Sequence, residues 1–141
     1  MSPSPVIRQR LEESRDLAQT LAAAHDAFNA MLSVFDSYQN GSGPFYAALV
    51  MAGPAAADGR NTVAMAPSLP PPERDRPWPL EPAHEPAAEE AADTVAVIAA
   101  LAARKLRIAA AAASSAADRS ACVEAAQYAD EVRGLVTGTG P

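Results

Sequence analysis

His25 is the residue in this sequence best suited by type to acid–base chemistry, because an imidazole titrates near neutral pH. It lies on the apolar stripe of a predicted helix and is followed directly by Asp26. A general base needs a nucleophile or an orienting acid within hydrogen-bond reach, and no such arrangement accompanies His25. We therefore interpret it as a half-buried structural residue, and we keep a small enzyme using His25 with carboxylates as an alternative.

Cys122, the only cysteine, could act as a nucleophile or a redox sensor. A reactive thiol needs an electropositive and partly exposed environment. Cys122 instead lies among alanine and valine in a predicted helix, with Arg119 as its one basic neighbour. We predict that the thiol is buried and unreactive. A single cysteine also excludes an intramolecular disulfide, which fits a reducing compartment.

Glu81 and His84 have the Glu-x-x-His spacing of metal sites in helical bundles. Pro82 interrupts this motif and no second copy of it is present, so we predict a solvated segment rather than a metal site. The neighbouring carboxylates favour the N-terminus of a helix and form an exposed cluster. The sequence therefore predicts no metal, no cofactor and no catalytic residue. The acidic cluster comprises Glu81, Glu85, Glu89, Glu90 and Asp93.

The overall charge argues against nucleic acid as a direct partner. The chain has 17 acidic and 11 basic residues, a net charge of -6, whereas phosphate binding needs a basic face. The basic group Arg104, Lys105 and Arg107 is too small for that role. We expect it to be solvated or paired with acids on a neighbouring helix. No apolar run reaches the roughly 20 residues that cross a bilayer, so we predict no membrane segment.

A proline-rich stretch between positions 67 and 86 contains Trp78, the only tryptophan. Proline fixes φ and removes a donor, so the stretch favours polyproline II. Trp78 can therefore anchor this segment to the helices or anchor a partner protein. Arg76, Pro79 and Pro82 also fit the loose pattern that SH3-like domains recognise, a pattern that arises by chance in proline-rich sequences.

Residues 4–39 are predicted to form one helix, with Ser4 as N-cap and Asn40-Gly41 at its end. Ser14 lies on its apolar stripe, where the hydroxyl can bond to the carbonyl four residues earlier. The spacing of apolar residues by three and four predicts one broad buried face. This face comprises Ile7, Leu11, Leu17, Ala18, Leu21, Ala24, Phe28, Met31, Leu32, Phe35 and Tyr38.

Two further helical regions are predicted. Residues 44–53 form a short helix closed by Gly53-Pro54, and residues 54–85 form an irregular linker with a turn at Asp58-Gly59. Residues 86–136 form either one helix or two, with Ser114-Ser115 as a possible cap. The buried face of this last region is predicted to contain Val95, Ile98, Leu101 or Ala102, Lys105 or Leu106, and Ala109, then Cys122, Ala125, Ala129, Val132 and Val136.

These elements predict a single all-α domain, an antiparallel helical bundle or hairpin with a long proline-rich linker. Alanine buries little area, so a homo-oligomer or a protein complex would complete such a core. We therefore predict a non-enzymatic scaffold or adaptor that binds protein and self-associates. The partner-binding candidates are Trp78, Pro79, Leu80, Phe28, Leu32 and Phe35.

One alternative is a regulatory accessory subunit of a nucleic-acid or secretion system, acting through a partner protein. The absence of a basic n-region and apolar h-region near Met1 predicts a cytoplasmic protein. Heavy use of alanine, proline, arginine and glycine indicates a bacterial source with a GC-rich genome.

Overall fold

The computed structural model describes residues 4–38, 44–70 and 88–137, and these residues form five helices. No strand occurs in these ranges, so the predicted all-α class is confirmed. Residues 71–87, which contain the second half of the predicted linker, lie outside the described residues. The helices are α1 (Ser4–Glu13), α2 (Leu17–Ser37), α3 (Pro44–Ala64), α4 (Ala88–Ala112) and α5 (Ala116–Thr137).

In the series α2, α3, α5 and α4 each helix packs against the next, and α4 also packs against α2. Helix α1 lies against both α2 and α4. α2 and α3 run antiparallel. Tyr38 contacts Tyr46, with 5.6 Å between ring centroids, while Phe28 lies against Gly59 at the other end of the pair. α4 and α5 are joined by residues 113–115 and share the most extensive contact. One hydrophobic core includes residues from all five helices.

Alanine is the commonest buried residue where α4 meets its neighbours. Its short side chain lets helix backbones approach closely, but each buried alanine removes less apolar area from water than leucine would. The large buried side chains, including Phe28, Leu21 and Met31, come mainly from α1 and α2. The buried alanines of α4 and α5 are Ala88, Ala91, Ala92, Ala99, Ala102, Ala103, Ala109, Ala110, Ala121, Ala125, Ala126 and Ala129.

The prediction of one helix over residues 4–39 is corrected, because the chain breaks between α1 and α2. Asp16 is the N-cap of α2, and its side chain accepts a 2.8 Å hydrogen bond from the Gln19 amide. The buried Ser14 hydroxyl donates to the Leu11 carbonyl, three residues earlier rather than four. Lys105 on α4 donates to the Glu12 and Ser14 carbonyls and so satisfies the end of α1.

The second helix is also longer than predicted. α3 continues through Gly53, Pro54 and Gly59 to Ala64, so the predicted linker begins later and Asp58-Gly59 is helical rather than a turn. Proline removes one intrahelical hydrogen bond and glycine lowers helix propensity. Burial of Leu49, Ala56 and Val63 on one face of α3 outweighs these local preferences.

Residues 88–137 form two helices, which settles the alternative left open by the sequence. The Ser115 hydroxyl accepts from the Asp118 amide at 3.3 Å and caps α5. On α4, Ala102 and Leu106 are buried, whereas Leu101 and Lys105 are only partly buried. The five residues predicted for the α5 stripe, from Cys122 to Val136, are all buried.

Candidate functional site

A groove runs along the surface between α2 and α3, with a volume of about 500 Å³. We call it the α2–α3 groove. Its α2 wall holds one apolar side chain, two neutral polar ones and a carboxylate, and its α3 wall adds a methyl and a guanidinium. This mixture suits recognition of a polypeptide surface better than of an apolar small molecule. The groove is lined by Asn29, Leu32, Ser33, Asp36, Ala57 and Arg60.

The two charges of the groove lie at opposite ends. Phe28 contacts Gly59, so Arg60 lies near the Asn29 end of α2. Asp36 is seven residues beyond Asn29, which corresponds to about 10 Å along a helix. The Arg60 side chain donates to the adjacent Asn61 at 3.4 Å, a long hydrogen bond to a neutral group. The groove therefore has Arg60 at one end and Asp36 at the other.

His25 lies one turn before Asn29, at the Arg60 end of this groove. The ring is partly buried, and its Nδ1 is 3.3 Å from the Asn29 side-chain amide. Burial lowers the pKa of His25; the charge of Asp26 acts in the opposite direction, and the charge of Arg60 lowers the pKa further. His25 is thus half-buried, as predicted, and its lowered pKa favours the neutral imidazole.

Stability is expected to fall as the pH is lowered from about 7.5 to 5.5, and His25 contributes to this slope. The unfolded histidine titrates near 6.5, and the folded pKa is lower, so the unfolded state binds more protons in this window. Urea denaturation across the window measures the slope. His25→Gln should flatten it, because glutamine does not titrate. Equal slopes for both proteins would show that His25 is not the group responsible.

The partner-binding candidates of the sequence fall in three places. Leu32 is partly exposed in the α2–α3 groove. Phe28 and Phe35 lie on the same helix but inside the hydrophobic core, with 0% and 4% of their surface exposed. The remaining candidates, Trp78, Pro79 and Leu80, lie outside the described residues.

Cys122 is fully buried in α5, as predicted. Burial raises the pKa of its thiol, and the charge of Asp118 one turn earlier raises it further. A thiol kept protonated and away from solvent is a poor nucleophile.

The Cys122 thiol is expected to resist a disulfide reagent in the folded protein and to react fully in denaturant. Absorbance after addition of Ellman's reagent, with and without urea, measures both states. Because the thiol must be exposed before it reacts, the native rate should report opening of the α5 contact. Rapid stoichiometric reaction under native conditions would contradict the burial of Cys122.

The described members of the other charged groups noted in the sequence are exposed or bonded to a neighbouring helix. Arg107 pairs with Asp130 of α5 at 2.5 Å, as expected for a basic group beside a neighbouring helix, whereas Arg104 is exposed. In the acidic cluster, Glu89, Glu90 and Asp93 are exposed at the start of α4. No group of three or more potential metal ligands occurs within the described ranges. Outside those ranges lie Glu81, His84 and Glu85.

Sequence reasoning missed Asp36 and Arg60 as members of a shared site. They are 24 positions apart, and only the antiparallel pairing of α2 with α3 brings them to one groove. The continued apolar spacing Leu49, Ala56 and Val63 is the signal that could have extended α3 to include Arg60.

Comparison with known proteins identifies no relative of this chain. No protein-family model matches the chain, and neither a curated protein nor a solved structure shows significant similarity to it. Among the described helices, none combines the length and apolar character required to cross a lipid bilayer.

Proposed function

We propose that the chain is a non-enzymatic protein-interaction domain, a scaffold or adaptor built on an antiparallel helical bundle. The observation that carries this proposal is the open α2–α3 groove, in which a partly exposed Leu32 lies among polar side chains of both helices. Protein-binding surfaces combine an apolar centre with a polar rim that sets orientation. The α2–α3 groove contains both apolar and polar side chains, and each of its two helices contributes to both.

An exposed apolar side chain on the groove face of α3 supports the same proposal. Val50 is seven residues before Ala57 and therefore on the same face of α3, and 44% of its surface is exposed. Single exposed hydrophobic residues are common, but one on the same helix face as the groove adds to its apolar area.

A photo-crosslinking amino acid at position 32 tests this role in cells of the source organism. The groove should yield a discrete adduct with a protein, whereas the same probe at Glu124, which is exposed on α5, should not. Mass spectrometry of the adduct identifies the bound protein. If position 32 gives no protein adduct under conditions where the chain is folded and expressed, the groove is not an interaction site.

The proline-rich segment is proposed as a second contact with a partner, through Trp78, Pro79 and Leu80. A segment rich in proline loses little conformational entropy on binding, and tryptophan contributes strongly where it is buried at an interface. Trp78→Ala should leave the melting temperature unchanged and abolish capture of the partner found by crosslinking. A drop in melting temperature would instead assign Trp78 to the folded core.

We also propose a cytoplasmic setting in a bacterium. The single cysteine is buried and forms no disulfide, which suits a reducing compartment. Given the net charge of -6, any role in a nucleic-acid system would act through a protein partner.

A further inference from the structure

We propose that the outer face of α4 binds the same face of a second copy of this chain, with the two α4 helices antiparallel. Spacings of three and four residues place the members of this face on one side of the helix, and we call it the α4 stripe. The inference goes beyond the proposed function, because the α4 stripe shares no residue with the α2–α3 groove. The α4 stripe consists of Glu90, Asp93, Val97, Leu101, Arg104 and Ile108.

The centre of the α4 stripe is apolar. Val97 and Ile108 are 48% and 60% exposed, and Leu101 between them is partly exposed. Residues 94–103 include no charged side chain. From Val97 to Ile108 the stripe follows the alternating spacing of four and three residues that forms the contact line of a coiled coil. The side of α4 that faces the core carries a different set of residues, so this line is additional to the one that folds the bundle.

Charges of opposite sign flank this apolar centre. Glu90 and Asp93 precede it, Arg104 follows it, and all three are exposed. Among the described residues, neither Asp93 nor Arg104 forms an ion pair or a side-chain hydrogen bond, so both can bind a second molecule. Antiparallel α4 helices bring the acidic end of each beside Arg104 of the other, whereas parallel helices would place like charges together. The α4 stripe is therefore complementary to itself, which a twofold dimer requires.

Helix dimensions set the register of the two copies. Asp93 and Arg104 are eleven residues apart, which corresponds to about 16 Å along the helix. A twofold axis midway between them places each Arg104 level with Asp93 of the other copy. In this register Val97 lies within about 2 Å of the level of Leu101 of the other copy, so the apolar centres of the two stripes cover each other. Burial of these side chains supplies attraction, and the charge pairs set the orientation.

The helix dipole does not account for the charges of Asp93 and Arg104. Its effect is confined to the first and last turns of a helix, so it explains Glu89 and Glu90 in the first turn of α4. Asp93 lies beyond this turn, and Arg104 lies about two turns before the end of the helix at Ala112. Pairing with a second copy neutralises both charges. It also offsets the repulsion between two chains that each carry a net charge of -6.

The size of the α4 stripe predicts a reversible dimer. From Glu90 to Ile108 the stripe is about 27 Å long, and it is one helix wide. Such a contact buries less than the roughly 800 Å² per partner of a standard interface, so the dissociation constant should be micromolar or higher. The association must therefore be measured over a wide range of protein concentrations.

A charge swap tests the dimer. Sedimentation equilibrium from about 1 µM to about 1 mM should show the wild-type mass rising from 14.6 kDa towards twice that value. Arg104→Glu and Asp93→Arg should each raise the dissociation constant about tenfold or more, because each replaces two opposite-charge contacts by two like-charge contacts. An equimolar mixture of the two variants should dimerise again, since both of its contacts join opposite charges. A chain carrying both substitutions keeps the net charge of -6 and should dimerise with itself.

A substitution in the apolar centre tests the other half of the contact. Val97→Lys should raise the dissociation constant about tenfold or more, because it places two like charges near the axis. Met51→Lys introduces the same charge at an exposed apolar position of α3 and should leave the dissociation constant within about twofold of the wild-type value. Circular dichroism confirms that each variant is folded.

Three results would overturn the proposal. They are a wild type that stays at 14.6 kDa at every concentration, a mixture of the two charge variants that remains monomeric, and a dimer that Met51→Lys weakens as much as Val97→Lys does. Crosslinking from position 32 reports on a different surface. Its failure would reject the α2–α3 groove as an interaction site and would leave the dimer through the α4 stripe to be judged by its own variants.

Discussion

Gly59→Ala is expected to destabilise the protein by about 2 kcal/mol, although alanine is the better helix former. A Cβ at position 59 would lie 2.5 Å from Cζ of Phe28 and would also overlap Cε1 of the same ring. Phe28 is completely buried, so its ring has no solvent-facing space into which it can move. Overpacking a core costs about 1–3 kcal/mol or more, which exceeds the roughly 1 kcal/mol gained in helix propensity.

Gly53→Ala provides the matched control within the same helix. No atom lies within 4 Å of a Cβ built at position 53. The substitution should therefore stabilise the protein by about 0.5–1 kcal/mol through helix propensity alone. Urea denaturation of both variants measures the difference, and the two changes should have opposite signs. A stabilising effect of Gly59→Ala would contradict the close packing of the Phe28 ring against Gly59 of α3.

A double variant identifies the cause. Phe28→Leu removes the ring atoms that the new methyl would meet, at the expense of lost core volume. The penalty of Gly59→Ala should be smaller in the Phe28→Leu background than in the wild type. A double-mutant cycle measures this coupling, and additive effects would mean that Gly59 acts through the backbone rather than through Phe28.

The apolar spacing of α4 and α5 makes their buried faces predictable from sequence. Val95, Ile98 and Ala109 recur at helical intervals and are buried, as are Cys122 and Val136. Both helices lie between two neighbours, so one face must be apolar along the whole length. Sequence pattern and tertiary packing agree here, which is why this prediction is accurate.

Local sequence signals give the wrong prediction for α3. The local signal for the start of α2 is correct, but it lies within a continuous apolar stripe and is easily missed. Gly53-Pro54 and Asp58-Gly59 favour a helix end and a turn, but tertiary burial of the surrounding residues keeps them helical. Asp16 followed by Gln19 is a helix-start pattern within the apolar stripe. The stripe continues across it, since Leu11, Ser14 and Leu21 all lie buried, and it therefore conceals the break.

The candidate site is only partly accessible to sequence reasoning. Leu32 and His25 can be identified because both lie on one helical stripe. Arg60 enters the site through the pairing of α3 with α2, which depends on the close contact of Gly59 with Phe28. A contact between residues so distant in sequence cannot be inferred from the spacing of either helix alone.

Asp118→Ala is expected to destabilise the protein by about 3 kcal/mol, since Asp118 joins the segment after α3 to the start of α5. Its carboxylate accepts hydrogen bonds from the Ser68 amide at 3.0 Å and from the Ser68 hydroxyl at 2.6 Å. Asp118 is only 3% exposed and lies in the first turn of α5, where the helix dipole favours a negative charge. Hydrogen bonds to a charged group contribute about 1.5–3 kcal/mol each, and their loss leaves the Ser68 amide without this acceptor.

Two controls separate this contact from surface charge. Ser68→Ala removes only the hydroxyl bond and should cost about 1.5 kcal/mol. Asp130→Ala removes an exposed ion pair with Arg107 and should change stability by less than about 1 kcal/mol. Urea denaturation ranks the three variants, and Asp118→Ala should be the least stable. A loss no larger than that of Asp130→Ala would show that the hydrogen bonds of Asp118 to Ser68 do not hold the α3–α5 junction together.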